Sequence, residues 1–259
     1  MIDFSMLILA ALLLSLTLPV FGSIILWDER SFLADTISHS TIFGAALGFV
    51  FPLPDYIILF LVALGVTFLS LLKPKRIPKD AWLIFISATF MAIGNLIFEM
   101  YPTHDNVLHD LFFGDIFLLN TKGLFILGVC CCLGLAHLYA MWPYILTLIL
   151  NEEMAVIDGH PKTVMKVIFN IFIALIITAS IKYIGVMLLS AFLVLPAVVA
   201  QQVSKSPKQM IYISVAVAAA GSFMGLLGVA VRGLPFSSVI TISFALLFVV
   251  SMFTSKDKP

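Results

Sequence analysis

The chain has 259 residues, 62% of them hydrophobic and only 11% charged, with a mean hydropathy of +1.16. A soluble protein of this size cannot hide so much apolar area, so a soluble catalytic domain is excluded and lipid is the solvent for most of the chain. Fourteen basic and 14 acidic side chains leave no net charge, which argues against a nucleic-acid partner and a polybasic membrane tether.

A bilayer core takes roughly 17–25 apolar residues per helix. Nine such stretches run in order, at about 4–26, 32–51, 55–72, 81–100, 123–149, 165–181, 184–200, 210–231 and 236–254. Short breaks such as "WDER", "PLPD", "KPKRIPKD" and "KSPKQ" separate them. The first run lacks a following signal-peptidase-like site and is expected to be retained. The seventh is the weakest; a short or broken helix there leaves eight full spans. The predicted fold is an all-α integral membrane protein, a bundle of eight or nine helices in one permease domain over residues 1–259. With nine spans and the N-terminus outside, the inner loops carry Arg30, Lys73, Lys75, Arg76, Lys79, Lys162, Lys166, Lys205, Lys208, Lys256 and Lys258. The outer side keeps only Lys122, Lys182 and Arg232. Positive charge stays in the cytoplasm, so the pattern predicts N-terminus out and C-terminus cytoplasmic.

The second span, "SFLADTISHSTIFGAALGFVF", places Asp35 and His39 one helical turn apart on one face. A charge at mid-bilayer costs roughly 2.5–3.5 kcal/mol, so the pair needs a reason. One reading has Asp35 cap the helix and His39 bond a backbone carbonyl near the interface. The other has both face a polar pathway and bind a cation; a hard oxygen with a borderline nitrogen suits zinc, manganese or iron. Gly44 and Gly48 make a small-xxx-small face that lets this helix pack closely inside the bundle.

Asn95 and Glu99 sit four apart near an outer helix end, as an interfacial pair or part of a path inward. The outer stretch 101–122 holds His104, Asp105, His109, Asp110 and Asp115. It reads as a solvated loop or as a place where metal is received from a donor, through His104, Asp105, His109 and Asp110. Cys130, Cys131 and Cys132 are consecutive and cannot form a disulfide framework. Cys130 and His137 share a face of the fifth span, as a small core patch or a soft zinc pair. The longest inner loop, 150–163, contains "EEMAVIDG", with Glu153, Ala155 and Gly159 in E-x-A-x-x-x-G spacing. A short helix ended by glycine can dock in a partner's groove.

Several of these segments resemble the membrane permeases of bacterial zinc and manganese ABC importers, over nearly the whole chain. "DTISHSTIFGAALG" is similar to that family's Asp-x-x-x-His helix, and "IKYIGVMLLSAFLVLPAVVAQQVSKSPKQM" to its best-marked segment, with Gly185, Leu195, Pro196 and Ala197 in matching places. "LFFGD" resembles its outer-loop element and "EEMAVIDG" its cytoplasmic coupling segment. Phe43 stands before Gly44, where manganese members often carry proline, and "HSTIFG" looks more like the zinc-uptake branch. Two departures stand out: Ala34 replaces the usual glycine before the aspartate, and the late tyrosine…proline-x-glycine element is reduced to "VRGLPFSS".

The resemblance implies a homodimeric permease in the bacterial cytoplasmic (inner) membrane, working with a cytoplasmic ATP-binding subunit and an extracytoplasmic metal-binding protein. The implied metal pair is Asp35 and His39, and the ATPase-coupling residues are Glu152, Glu153, Ala155 and Gly159. No cofactor is expected to stay bound; the cargo is a divalent metal, zinc or alternatively manganese or iron. The chain has no Walker-type glycine loop, so ATP hydrolysis belongs to a partner, or else an ion gradient drives transport. An intramembrane metalloenzyme needs His-rich motifs, and only His39 and His137 fall within spans.

Overall fold

The computed structural model describes residues 4–101, 105–150, 162–232 and 234–255, and all regular elements among them are helical. In chain order they are α1 (Phe4–Trp27), α2 (Leu33–Val50), α3 (Asp55–Leu71), α4 (Lys79–Met100), α5 (Asp105–Phe113), a 3₁₀ turn (Ile116–Leu118), α6 (Thr121–Leu150), α7 (Lys162–Val203), α8 (Pro207–Arg232) and α9 (Phe236–Ser255). Six of these are long and apolar enough to cross a membrane: α1, α4, α6, α7, α8 and α9. α3 is apolar but shorter. α2 is absent from both groups because Asp35, Ser38, His39, Ser40 and Thr41 interrupt its apolar run.

α7 holds both the sixth and the seventh predicted spans. Its first limb starts at the end of the bundle marked by Asp28, which Lys166 approaches to 3.1 Å, and ends near Asp55, which Lys182 meets at 2.9 Å. Beyond Gly185 the second limb returns: Leu193 lies against Gly22, and Ala197 and Ala200 pack with Leu26 and Trp27 beside Asp28. The chain therefore reverses at Gly185, whose φ of 74° and ψ of 164° break the helical backbone. Such a conformation is essentially restricted to glycine. The expected eight or nine helices are present, with the break two residues later than the gap left at 182–183.

Gly185 nests against a second positive-φ glycine, Gly114, at φ 68° in the "LFFGD" turn. A Cβ on either would collide with the other's backbone. This contact brings the "LFFGD" turn and the helix before it onto the reversal, and the Asp115 N–H donates to the Lys182 carbonyl at 3.3 Å. The stretch is not simply a solvated loop. It forms α5, which packs on α7 and buries Leu111 beside Ile42, Ala46 and Val186.

α7 is the hub of the molecule. On one side α2, α3 and α4 pack together; on the other, α1 is gripped by α6, α7 and α8, with α9 closing against α7 and α8. The α1–α8 seam carries hydroxyl pairs, Ser15 with Ser222 at 2.8 Å and Ser23 with Ser214 at 3.3 Å. Small hydroxyl residues let apolar helices approach closely where lipid gives them no hydrophobic reason to associate.

Candidate metal centre

α2 begins after Phe32, whose side chain makes no cap. Asp35 lies in the first turn, where the helix dipole favours a carboxylate. Its Oδ1 stands 3.1 Å from His39 Nδ1, which also lies 3.0 Å from the Asp35 backbone oxygen. Both oxygens accept, so Nδ1 carries the proton and donates. Nε2 is then the lone pair of the neutral ring, the nitrogen through which histidine ligates a metal. The side chains remain 38% and 19% exposed, so the pair opens from the bundle instead of vanishing into its core.

The opposite faces of α2 are sealed. Thr36, Ser38, Ser40 and Thr41 are fully buried among α3, α4 and α7. Thr36 donates to the carbonyls of Phe32 and Leu83, Ser40 to Thr36 and Thr41 to Ser38. The Ser38 hydroxyl is buried without a partner. Above the pair, the Phe112 ring of α5 lies 6.5 Å from the His39 ring in edge contact. Among the described residues no cluster of three or more His, Cys, Asp or Glu is placed to hold a metal. One chain thus offers one carboxylate and one imidazole.

Gly44 is the tighter of the two packing glycines: a Cβ there would stand 3.2 Å from the Leu59 side chain of α3, whereas at Gly48 it would meet only Asp55 at 3.8 Å. α2 also approaches α4 closely, at Gly94, where a Cβ would sit 2.8–3.0 Å from the Phe43 and Ile42 backbone. His109 and Asp110 lie on α5, 3.7 Å apart and exposed, with the His109 ring tilted on Phe113. His109 and Asp115 line a cavity of about 380 Å³ with Tyr183 and Ser237. His104 and the coupling residues Glu152, Glu153, Ala155 and Gly159 lie outside the described residues. Asp105 opens α5, but its side chain is not described. Glu99 is exposed, and Asn95 half-buried. His137 stacks on Phe172 at 4.4 Å, and Cys130 is buried.

A polar group at the end of the bundle away from the Gly185 reversal had no clear sequence signal. Asp28, from the "WDER" break, pairs with Arg30 and Lys166, and Lys79 lies 3.9 Å away. Lys79 also donates to the Asp28 carbonyl at 2.9 Å. Arg30 donates to Asn170, which donates to the Thr67 carbonyl. The α1–α2 turn is tied here to α3, α4 and α7, and the only hint was an asparagine, Asn170, in an apolar span.

This architecture has known counterparts. A chain of PsaBC from Streptococcus pneumoniae, solved in complex with Fab, matches with a TM-score of 0.83 at 22% identity, covering 97% of this chain and 91% of that one. The high-affinity zinc uptake system membrane protein ZnuB of Buchnera aphidicola subsp. Acyrthosiphon pisum is 29% identical over 214 residues, 81% of each chain. A Haemophilus influenzae protein named "Probable iron transport system membrane protein" is 28% identical over 240 residues, 87% of this chain and 81% of that one. The model of the ABC 3 transport family matches residues 4–255, so this multi-pass membrane protein belongs to that family.

Proposed function

We propose that the chain is the permease subunit of an ATP-driven importer of divalent metal ions, zinc in the first place, in the bacterial inner membrane. The observation that carries this is the Asp35–His39 pair: a carboxylate and an oriented imidazole on one face of α2, half open, with the surrounding faces sealed. An ion entering an apolar barrier must exchange water for ligands. The carboxylate offsets part of its charge, and Nε2 supplies a directional donor. Two ligands hold weakly enough to release the ion inward. A twofold-related copy doubles the set, which favours a homodimer with the pair near its axis.

The zinc-uptake relatives support zinc, with iron and manganese as the alternatives. The N-terminus lies outside, placing the Asp28–Arg30–Lys166 end at the cytoplasm, where a separate ATPase docks on residues 152–159. The outer cavity lined by His109 and Asp115 faces an extracytoplasmic metal-binding protein. A gradient-driven metal transporter would use the same pair without the docking loop.

The test is uptake of zinc, manganese and iron by cells lacking their own zinc importer and expressing this chain with its ATPase and binding protein. Zinc uptake that stops when the ATPase is inactivated supports the proposal. Uptake that survives ATPase inactivation and stops with the proton gradient overturns it.

A further inference from the structure

A second feature lies on the α1 side of the bundle, among helices that do not pack on α2. α6 and α8 both pack on α1 but scarcely on each other. Between them runs a cleft of about 640 Å³, floored by Val20 of α1 and walled by Leu138 and Ile211. Its rim is of another character: Tyr139 and Trp142 from α6, Tyr212 and Lys208 from α8. Tyr139 is 87% and Tyr212 75% exposed, so none of the described residues covers the opening.

The depth of the rim is fixed by Trp27, the last residue of α1, whose ring lies 6.4 Å from that of Trp142. Asp28 and its cationic partners follow directly, so the rim stands at the level where the bundle passes from apolar to charged. Tyrosine and tryptophan gather at that level because one end of each ring prefers hydrocarbon and the other water. Lys208, in the first turn of α8, has no carboxylate partner among the described residues. An apolar trough with aromatic hydroxyls and an uncompensated cation at its lip matches an anionic phospholipid: acyl chain in the trough, phosphate at Lys208. A second copy seated by a twofold axis through the cleft would set Lys208 against its own equivalent, a like-charge contact.

We propose that the α6–α8 cleft binds one anionic phospholipid, headgroup at Lys208 and acyl chain over Val20. Only the identity of the leaflet, the cytoplasmic one, rests on the orientation proposed above. The binding itself requires neither metal nor ATPase, so its failure and the failure of the transport reading are separate results.

Native mass spectrometry of the full chain, released from detergent with phosphatidylglycerol or phosphatidylcholine of identical acyl chains, tests it. A preference on the order of fivefold for phosphatidylglycerol is expected from one lysine. Lys208→Gln should bring the ratio to about one, and Lys208→Glu should reverse it, with helix content and elution unchanged. An unchanged ratio in Lys208→Gln overturns the proposal. Tyr139→Cys with Tyr212→Cys, in a chain whose three native cysteines are alanine, provides the second arm. Disulfide-linked pairs of chains in native membranes would show that a second copy fills the cleft and would also overturn it; monomeric, reagent-accessible thiols support it.

Discussion

His39 has one nitrogen committed to Asp35 and one lone pair to offer. Acid fills that lone pair with a proton and adds a positive charge beside the cation. Metal affinity should therefore fall as the pH is lowered, and the slope should vanish in His39→Gln. Zinc titration of the purified permease between neutral and mildly acidic pH checks this; a pH-independent affinity in the parent contradicts it. The pair was legible in the sequence because four-residue spacing alone puts two side chains on one face. Whether Asp35 capped α2 was not legible, since capping depends on where the helix begins, and it begins after Phe32. Nor was the unpartnered Ser38 hydroxyl, because the burial of a serine in an apolar run depends on which helices surround it.

Among the elements, the reversal within α7 is the sharpest demand on a single residue type. Gly185 combines a glycine-only conformation with backbone contact to Phe113 and Gly114. Gly185→Ala should cost roughly 1–3 kcal/mol from the conformation alone, and more from the collision. Thermal unfolding of the variant in detergent should show a clearly lowered midpoint; a midpoint equal to the parent's contradicts the reversal. Hydropathy located most spans well because length and apolarity decide them. It misplaced this break because Lys182 and Tyr183 looked like the polar interruption, whereas Lys182 still belongs to the first limb and reaches Asp55. α5 escaped for the opposite reason: nine residues are too few to register as a span, although Leu111 and Phe112 pack its inner side.

At the scale of the whole molecule, the Asp28 network and the metal pair are separated by a few residues of chain. Asp28 and Arg30 occupy the turn between α1 and α2, five residues before Asp35 in the case of Arg30, while Lys166 lies near the start of α7. Removing one partner of a buried pair costs about 3–5 kcal/mol, and the side chains of Asp28 and Arg30 are 16% and 9% exposed. Asp28→Asn should therefore destabilise this end of the bundle strongly, whereas Lys79→Gln should cost little because Lys79 is far more exposed. Comparing the two midpoints decides it; equal losses contradict the network. Glu153→Arg or Gly159→Pro in the proposed docking segment should leave the permease folded but unable to co-purify with its ATPase, and normal co-purification with normal transport contradicts docking there.

The central claim is that Asp35 and His39 carry the ion. Zinc transport into proteoliposomes containing the permease with its ATPase and binding protein measures it directly, with Asp35→Asn and His39→Ala reconstituted in amounts matched to the parent. Transport in both variants should fall to background while insertion, dimerisation and ATPase binding stay intact. Parental rates in both would mean that the pair serves only the helix that holds it.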